Sequence, residues 1–186
     1  MTQATMAPDT TTGWQIDPAH SGIDFSVRHL MISTVRGRFG SIAGRVGSID
    51  ANGGAPRVEV TIDPSTITTS NDQRDKHLRS ADFFDVERYP TMTFTASEVE
   101  GDLDQTFTLT GDLTIRDVTK PISFEVEAHG VTVDPWGNRR AGYSARGKLS
   151  RSAYGLTWNQ MLEAGGVTVG DEVKFTIDVA LTQPMA

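Results

Sequence analysis

The sequence predicts an all-β fold, an antiparallel barrel of about eight strands with one or two short helices. Three observations carry this expectation. Apolar residues recur at every second position in one segment after another, Val, Ile, Thr and Gly dominate those segments, and only Ser70–Pro90 carries strong helix signals. One-sided alternation belongs to antiparallel strands that turn one face to water, and β-branched residues suit a pleated, half-buried surface. Many strands with a single good helix manage their edges best by closing on themselves. A chain of 186 residues suits one domain, expected over 13–183 behind a disordered Thr/Pro-rich arm at 1–12.

The elements follow in chain order. Trp14–Asp17 reads as a short strand, and Asp17-Pro18 starts a turn. Ile23, Phe25 and Val27 alternate with Asp24, Ser26 and Arg28, and His29 continues the inward parity. Leu30–Ser33 is expected to leave the strand in a single helical turn. Gly37, Gly40, Gly44 and Gly47 interrupt Phe39, Ile42 and Val46, and glycine inside a strand marks a bend, a bulge or close backbone approach. Ala51–Gly54 is a turn ahead of Val58, Val60 and Ile62. The second half is plainer, with inward sets Met92, Phe94, Ala96, then Phe107 to Ile115, Ile122 to Ala128, Ala141 to Leu149, and Val173 to Leu181. Asp134-Pro135 and Gly137 set a turn around Trp136. Ser150–Gly166 reads as a loop holding Tyr154, Trp158 and Met161. About eight strands leave an interior that side chains fill or that holds one small ligand, and inward Ala96, Ala128, Ala141 and Ala145 leave room.

Ser70 with Gln73 three residues on forms a capping box that starts the helix. Asp72–Lys76 and Asp75–Arg79 are i,i+4 acid-to-base pairs. Arg74, His77, Leu78 and Ala81 share one mixed face, and Phe83, Phe84, Tyr89 and Pro90 end the segment. The helix is expected to lie across one mouth of the barrel.

Composition excludes several classes. The formal charge is −7, from 24 acids and 17 bases, and no basic block suits a nucleic-acid backbone. No apolar run approaches the ~20 residues needed to span a bilayer. The first residues lack a basic n-region and an apolar h-region, so a cytoplasmic location is expected. The absence of cysteine removes disulfides and thiolate chemistry. Nucleophile elbows, phosphate-binding loops and dinucleotide fingerprints are missing. The four histidines show no two-His zinc spacing, so neither a metal nor a cofactor is expected.

Candidate polar groups are His29 and the set Arg74, Asp75 and His77. An inward imidazole is usually satisfied by a carbonyl or buried water, and charged helix residues are usually solvated. The functional alternative places Arg74 and His77 over the barrel mouth, where a guanidinium suits the polar end of an amphipathic ligand. His29 or His77 with Asp75 as an acid–base pair, and His29 as a haem ligand, are the enzymatic and cofactor alternatives; a stress-related interaction module is another. Trp136 and Trp158 sit in loops, where indole rings usually join local core.

Trp14–Gly40, W-x-I-D-P-A-H-S-G-I-D-F-S-V-R-H-L-M-I-S-T-V-R-G-R-F-G, resembles the opening of the YceI-like family. Ile67–Pro90, Leu113–Ile122 and Arg151–Trp158 continue the resemblance, with Asp117 where that turn more usually has glycine. The resemblance implies a lipocalin-like barrel whose apolar tunnel binds polyisoprenoids, such as isoprenoid quinones, or similar amphiphilic lipids without catalysis. It also makes a homodimer plausible. The residues expected to meet such a ligand are Phe25, Phe94 and Tyr143 from strands, Phe83 and Phe84 below the helix, and Trp158 from the loop, with His29, Arg74, Asp75 and His77 at its polar end.

Overall fold

The computed structural model describes residues 13–47, 57–163 and 165–183; the arm expected at 1–12 and the turn expected at Ala51–Gly54 lie outside them. The strands are β1 (Trp14–Ile16), β2 (Gly22–His29), β3 (Ser33–Phe39), β4 (Ile42–Val46), β5 (Val58–Ile62), β6 (Ile67–Thr68), β7 (Met92–Gly101), β8 (Thr106–Ile115), β9 (Val118–Val133), β10 (Arg139–Ser150) and β11 (Val169–Gln183). The helix α1 is Asp72–Arg79, and single 3-10 turns occupy Pro64–Thr66 and Ser152–Tyr154.

Every pairing is antiparallel, and the ring closes where β1 pairs with both β4 and β11. The short segments are halves of longer strands. β1 and β2 both run along β11, β4 and β3 run along them, and β5 and β6 run along β4 and β3. The 11 segments therefore close into an eight-stranded antiparallel barrel.

The breaks at Asp17–Ser21, Gly40–Ser41 and Asp63–Thr66 lie side by side. Proline has no N–H for the ladder, and Asp17-Pro18 and Asp63-Pro64 each start a break. Each aspartate accepts the amide two residues on, Ala19 at 3.0 Å and Ser65 at 2.8 Å, an Asx turn. The Thr66 hydroxyl then accepts from the amides of Gly40 and Ser41 at 3.1 and 3.2 Å, stitching two breaks together.

One end of the barrel carries the β2–β3 hairpin, α1, the β8–β9 turn and the β10–β11 loop. The opposite end carries the β9–β10 hairpin, where Arg140 donates to Asp134 at 3.0 Å and to Asp17, which also meets His20 at 2.9 Å. Leu30–Ser33 is not a helical turn. Leu30 and Met31 both take left-handed backbone, φ 51° and 62°, and the Ile32 amide donates to the His29 carbonyl at 3.2 Å. Hairpin strands twist in the sense that such a turn matches. Trp136 does not join local core; it is 81% exposed at the β9–β10 tip. No helix among the described residues is long and apolar enough to cross a membrane.

Most inward residues of β7, β8 and β9, among them Met92, Phe94, Leu113, Ile122, Phe124 and Val126, are buried. Phe25, Val27, Val173, Phe175, Ile177 and Val179 point inward too, yet keep part of their surface accessible. That surface faces empty space inside the barrel.

Candidate functional site

Two adjoining cavities occupy the barrel interior. The first, of about 150 Å³, lies under α1 and is walled by Phe25, Phe39, Leu78, Phe83, Phe84 and Phe175 among others. The second, of about 180 Å³, fills the opposite half, between residues such as Val60, Phe94, Phe107, Tyr143 and Val179. Ile23, Ile62, Leu113, Phe124 and Ile177 border both and form a waist between them. An engineered cavity of about 150 Å³ with Leu, Ile and Phe walls stays dry and accepts benzene. Each compartment therefore suits a short piece of hydrocarbon, and a longer chain has to pass the waist.

Two cross-strand pairs shape this wall. Phe25 lies opposite Gly37 and Phe175 opposite Gly147. A Cβ on Gly37 would stand 2.4 Å from the Phe25 ring, and one on Gly147 would stand 2.6 Å from the Phe175 ring. Glycine lets both rings lie flat against the strands, so the lumen stays open.

The end of α1 and the chain that leads from it to β7 cap the first cavity. Leu78, Phe83 and Phe84 face it from above, joined by Leu156 from the β10–β11 loop. Outside them, His77 packs edge-on against Phe83 and Trp158, centroids 5.1 and 4.6 Å away, and its Nε2 meets the Asp82 carboxylate at 2.8 Å. Arg116 in the β8–β9 turn donates to the carbonyls of Phe83 and Gly155, both at 3.3 Å. It thereby ties the two halves of the cap together.

The polar residues expected at the ligand are committed to the scaffold instead. Asp75 is buried and accepts from the Thr69 amide at 2.8 Å and from the Thr69 hydroxyl. Burial alone pushes its carboxyl up, but the Thr69 hydrogen bonds outweigh it and hold it below the ordinary value. Arg74 donates to the Thr69 hydroxyl at 2.7 Å and to the Thr69 carbonyl at 2.8 Å. Arg79 donates to the Ser65 and Ile67 carbonyls rather than forming the expected pair with Asp75. The helix is capped by Asn71, which accepts from the Arg74 amide at 2.9 Å, and not by Ser70, whose φ is 59°. His77 and Asp75, each with another partner, do not form an acid–base couple. His29 ends β2 half-buried, and neither it nor Trp158 borders a cavity. Phe25, Phe83 and Phe84 border the first cavity, and Phe94 and Tyr143 the second.

Two further residues stand out, Arg151, which alternation does not reveal, and Tyr143, whose side it does. Arg151, 6% exposed, borders the first cavity but directs its N–H groups away from it. They reach the carbonyls of Leu156 at 2.6 Å, Gly170 at 2.8 Å, Trp158 at 2.9 Å and Val169 at 3.2 Å, which fastens the cap loop to β11. Tyr143 borders the second cavity and is the residue there with a hydroxyl. Burial, reinforced by the Asp104 charge, pushes its pKa up, so the phenol stays a neutral donor. Among the described residues, no group of three His, Cys, Asp or Glu side chains is placed to hold a metal.

Residues 14–181 match the family model of the YceI-like domain. The chain belongs to the YceI-like family. Among curated YceI-like relatives, UPF0312 protein SAB2563 of Staphylococcus aureus is 38% identical over 165 residues, covering 88% of this chain and 94% of that one. A crystallised YCEI protein of Campylobacter jejuni shares 31% identity at a TM-score of 0.69, over 85% of this chain and 90% of that one. Two more distant structures share the YceI-like fold. BcnA of Burkholderia cenocepacia has a TM-score of 0.74 at 19% identity, over 89% and 98% of the two chains. A polyisoprenoid binding domain from Saccharophagus degradans implicated in plant cell wall breakdown has a TM-score of 0.68 at 14% identity, over 94% and 100%.

Proposed function

We propose that this YceI-like barrel binds a polyisoprenoid or similar amphiphilic lipid and carries or sequesters it without chemical change. The observation that carries the reading is the pair of apolar cavities meeting at an apolar waist. Each methylene taken from water contributes roughly 0.8 kcal/mol, so a chain threading both compartments binds firmly without polar contacts. The polyisoprenoid binding domain that shares the fold supports the ligand class.

The polar end of the ligand is best matched by Tyr143. A neutral phenol donates to a quinone carbonyl or an alcohol oxygen, and Asp104 nearby disfavours an anionic head. Arg74, with its N–H groups on Thr69, offers an anion little. Organic extraction of the purified protein followed by mass spectrometry is the direct test. A co-purifying isoprenoid, or saturable uptake of an added isoprenoid quinone, is the expected result. A barrel that is empty and also refuses both quinone and prenyl phosphate sinks the reading.

A further inference from the structure

The tip of the β2–β3 hairpin is more apolar than its place in the barrel requires. Leu30, Met31 and Ile32 project beyond the capped end with 36, 59 and 82% of their surface exposed, and Met161 of the β10–β11 loop is 79% exposed. The tip is firmly built. The Ser33 hydroxyl donates to the His29 carbonyl at 3.1 Å, and the Leu30 amide donates to the Thr168 carbonyl at 2.9 Å. Asn and Gly enter such a left-handed turn with little strain. Leu30 and Met31 do so at a conformational cost, and still expose their side chains to water.

Behind the tip lies a basic collar. Arg28 and Arg36 face outward on the hairpin stem. Arg28 donates to the Thr34 hydroxyl, and among the described residues neither guanidinium has a carboxylate in ion-pair reach. Glu163 is the single acid of the neighbouring 159–168 loop. The two acids of the β11 bulge beside Arg28 have partners of their own, Asp171 accepting from the Ser152 amide and Glu172 pairing with Lys148 and Lys174.

We infer that this tip docks the protein on an anionic lipid bilayer, with Leu30, Met31, Ile32 and Met161 entering between head groups and Arg28 and Arg36 meeting lipid phosphates. At ~3.3 Å per strand residue, Arg28 stands about 7 Å behind Leu30, and interfacial apolar side chains settle ~5–10 Å into the head-group boundary. Arg28 therefore meets the phosphates when the tip is immersed, where basic residues are attracted to anionic lipid. Arg36, paired with Ser26 and about 13 Å behind Leu30, reaches toward them with its long side chain. A second protein is a poorer occupant. A projecting knob of four partly covered side chains falls well short of the ~800 Å² per partner of a standard protein interface. The inference rests on the lipid-carrier reading for its purpose alone, since docking at the capped end sets the first cavity beside its source of cargo.

The test uses the full chain with phosphatidylcholine vesicles, with and without phosphatidylglycerol, in a flotation assay. Cavity uptake is read separately with a soluble fluorescent fatty acid. Wild type is expected to float with the anionic vesicles. Ile32→Glu and Met161→Glu should each weaken that binding roughly tenfold with uptake unchanged, and Arg28→Glu with Arg36→Glu should abolish the preference for phosphatidylglycerol. Docking that survives while uptake fails would overturn the cargo reading and leave the docking inference standing. Wild type that ignores both vesicles, or Ile32→Glu that floats as wild type does, overturns the docking inference. So does a tip substitution that dissociates a self-associated form in sedimentation while leaving vesicle binding unchanged, which would assign the tip to a second copy.

Discussion

At the scale of single residues, Arg74, Asp75 and Arg79 of α1 spend their hydrogen bonds on the scaffold, and the physics shows why. The Thr69 amide is buried and its acceptor is Asp75. Removing that acceptor leaves a buried donor unsatisfied, at a cost of about 1–3 kcal/mol. Asp75→Ala should therefore lower the melting temperature by roughly 2–4 °C per kcal/mol, as scanning calorimetry will read. Arg74→Ala should weaken the cap and affect lipids with anionic and neutral heads of equal chain length alike. A selective loss for the anionic head would show that Arg74 meets ligand. The sequence could not reveal these roles. Spacing places Asp75 four residues before Arg79, but its actual partner, Thr69, precedes it by six and belongs to the strand end. Burial decided the pairing, and burial of one carboxylate leaves no periodic trace. Arg151 was hidden for the same reason, because a lone arginine in a loop has no pattern to break.

At the scale of elements, period-two alternation made the strands legible, and with them the inward parity of Phe25, Phe94 and Tyr143. The cavity edge was legible to the same degree, because parity names the side a residue faces. Void and packed core look alike at that level, so the waist and the division into two compartments were not readable. Nor were the breaks: Gly40 and Ser41 read as a weak point in a glycine-rich stretch, while Asp63-Pro64 sits at the end of a clean Val58, Val60, Ile62 run. The glycines of β3 and β10 acquire a specific role in the structure. In Gly147→Ala the new Cβ, 2.6 Å from the Phe175 ring, turns that ring into the first cavity. Losing room for one or two methylenes at ~0.8 kcal/mol each should weaken uptake of a fluorescent lipid roughly four- to fifteen-fold. Gly142→Ala is the matched control, because its Cβ would meet nothing nearer than His129 at 3.5 Å. If both variants take up lipid equally, the ring does not set the lumen.

At the scale of the whole molecule, Arg140 joins the β9–β10 hairpin to the break after β1 through Asp134 and Asp17. Burial alone pushes the Asp134 carboxyl up, but hydrogen bonds from Asn138 and Arg140 prevail and bring its pKa to about 2, against an ordinary 3.8. The folded state thus favours the ionised form. Its contribution is complete above 3.8 and disappears as pH falls through about 2. Melting temperatures of wild type and Asp134→Asn should differ at neutral pH and converge across that acid window; a gap that stays constant down to the lowest pH contradicts the assignment. The barrel wall is also unequal around its circumference. β7 to β11 each run as one continuous strand, with bulges in the pairings of β7–β8, β9–β10 and β11–β2. The three strands made of β1 to β6 are instead each jointed, and Thr66 stitches two of the joints together. Ile23 and Ile62, the residues of the waist contributed by that side, stand beside those joints, and Leu113, Phe124 and Ile177 come from the continuous side. The bore is therefore bounded on one side by continuous strands and on the other by jointed ones. If the barrel carries lipid as proposed, small backbone adjustments at Ser21, Ser41 and Asp63 offer it a way to widen the waist for cargo of more than one length.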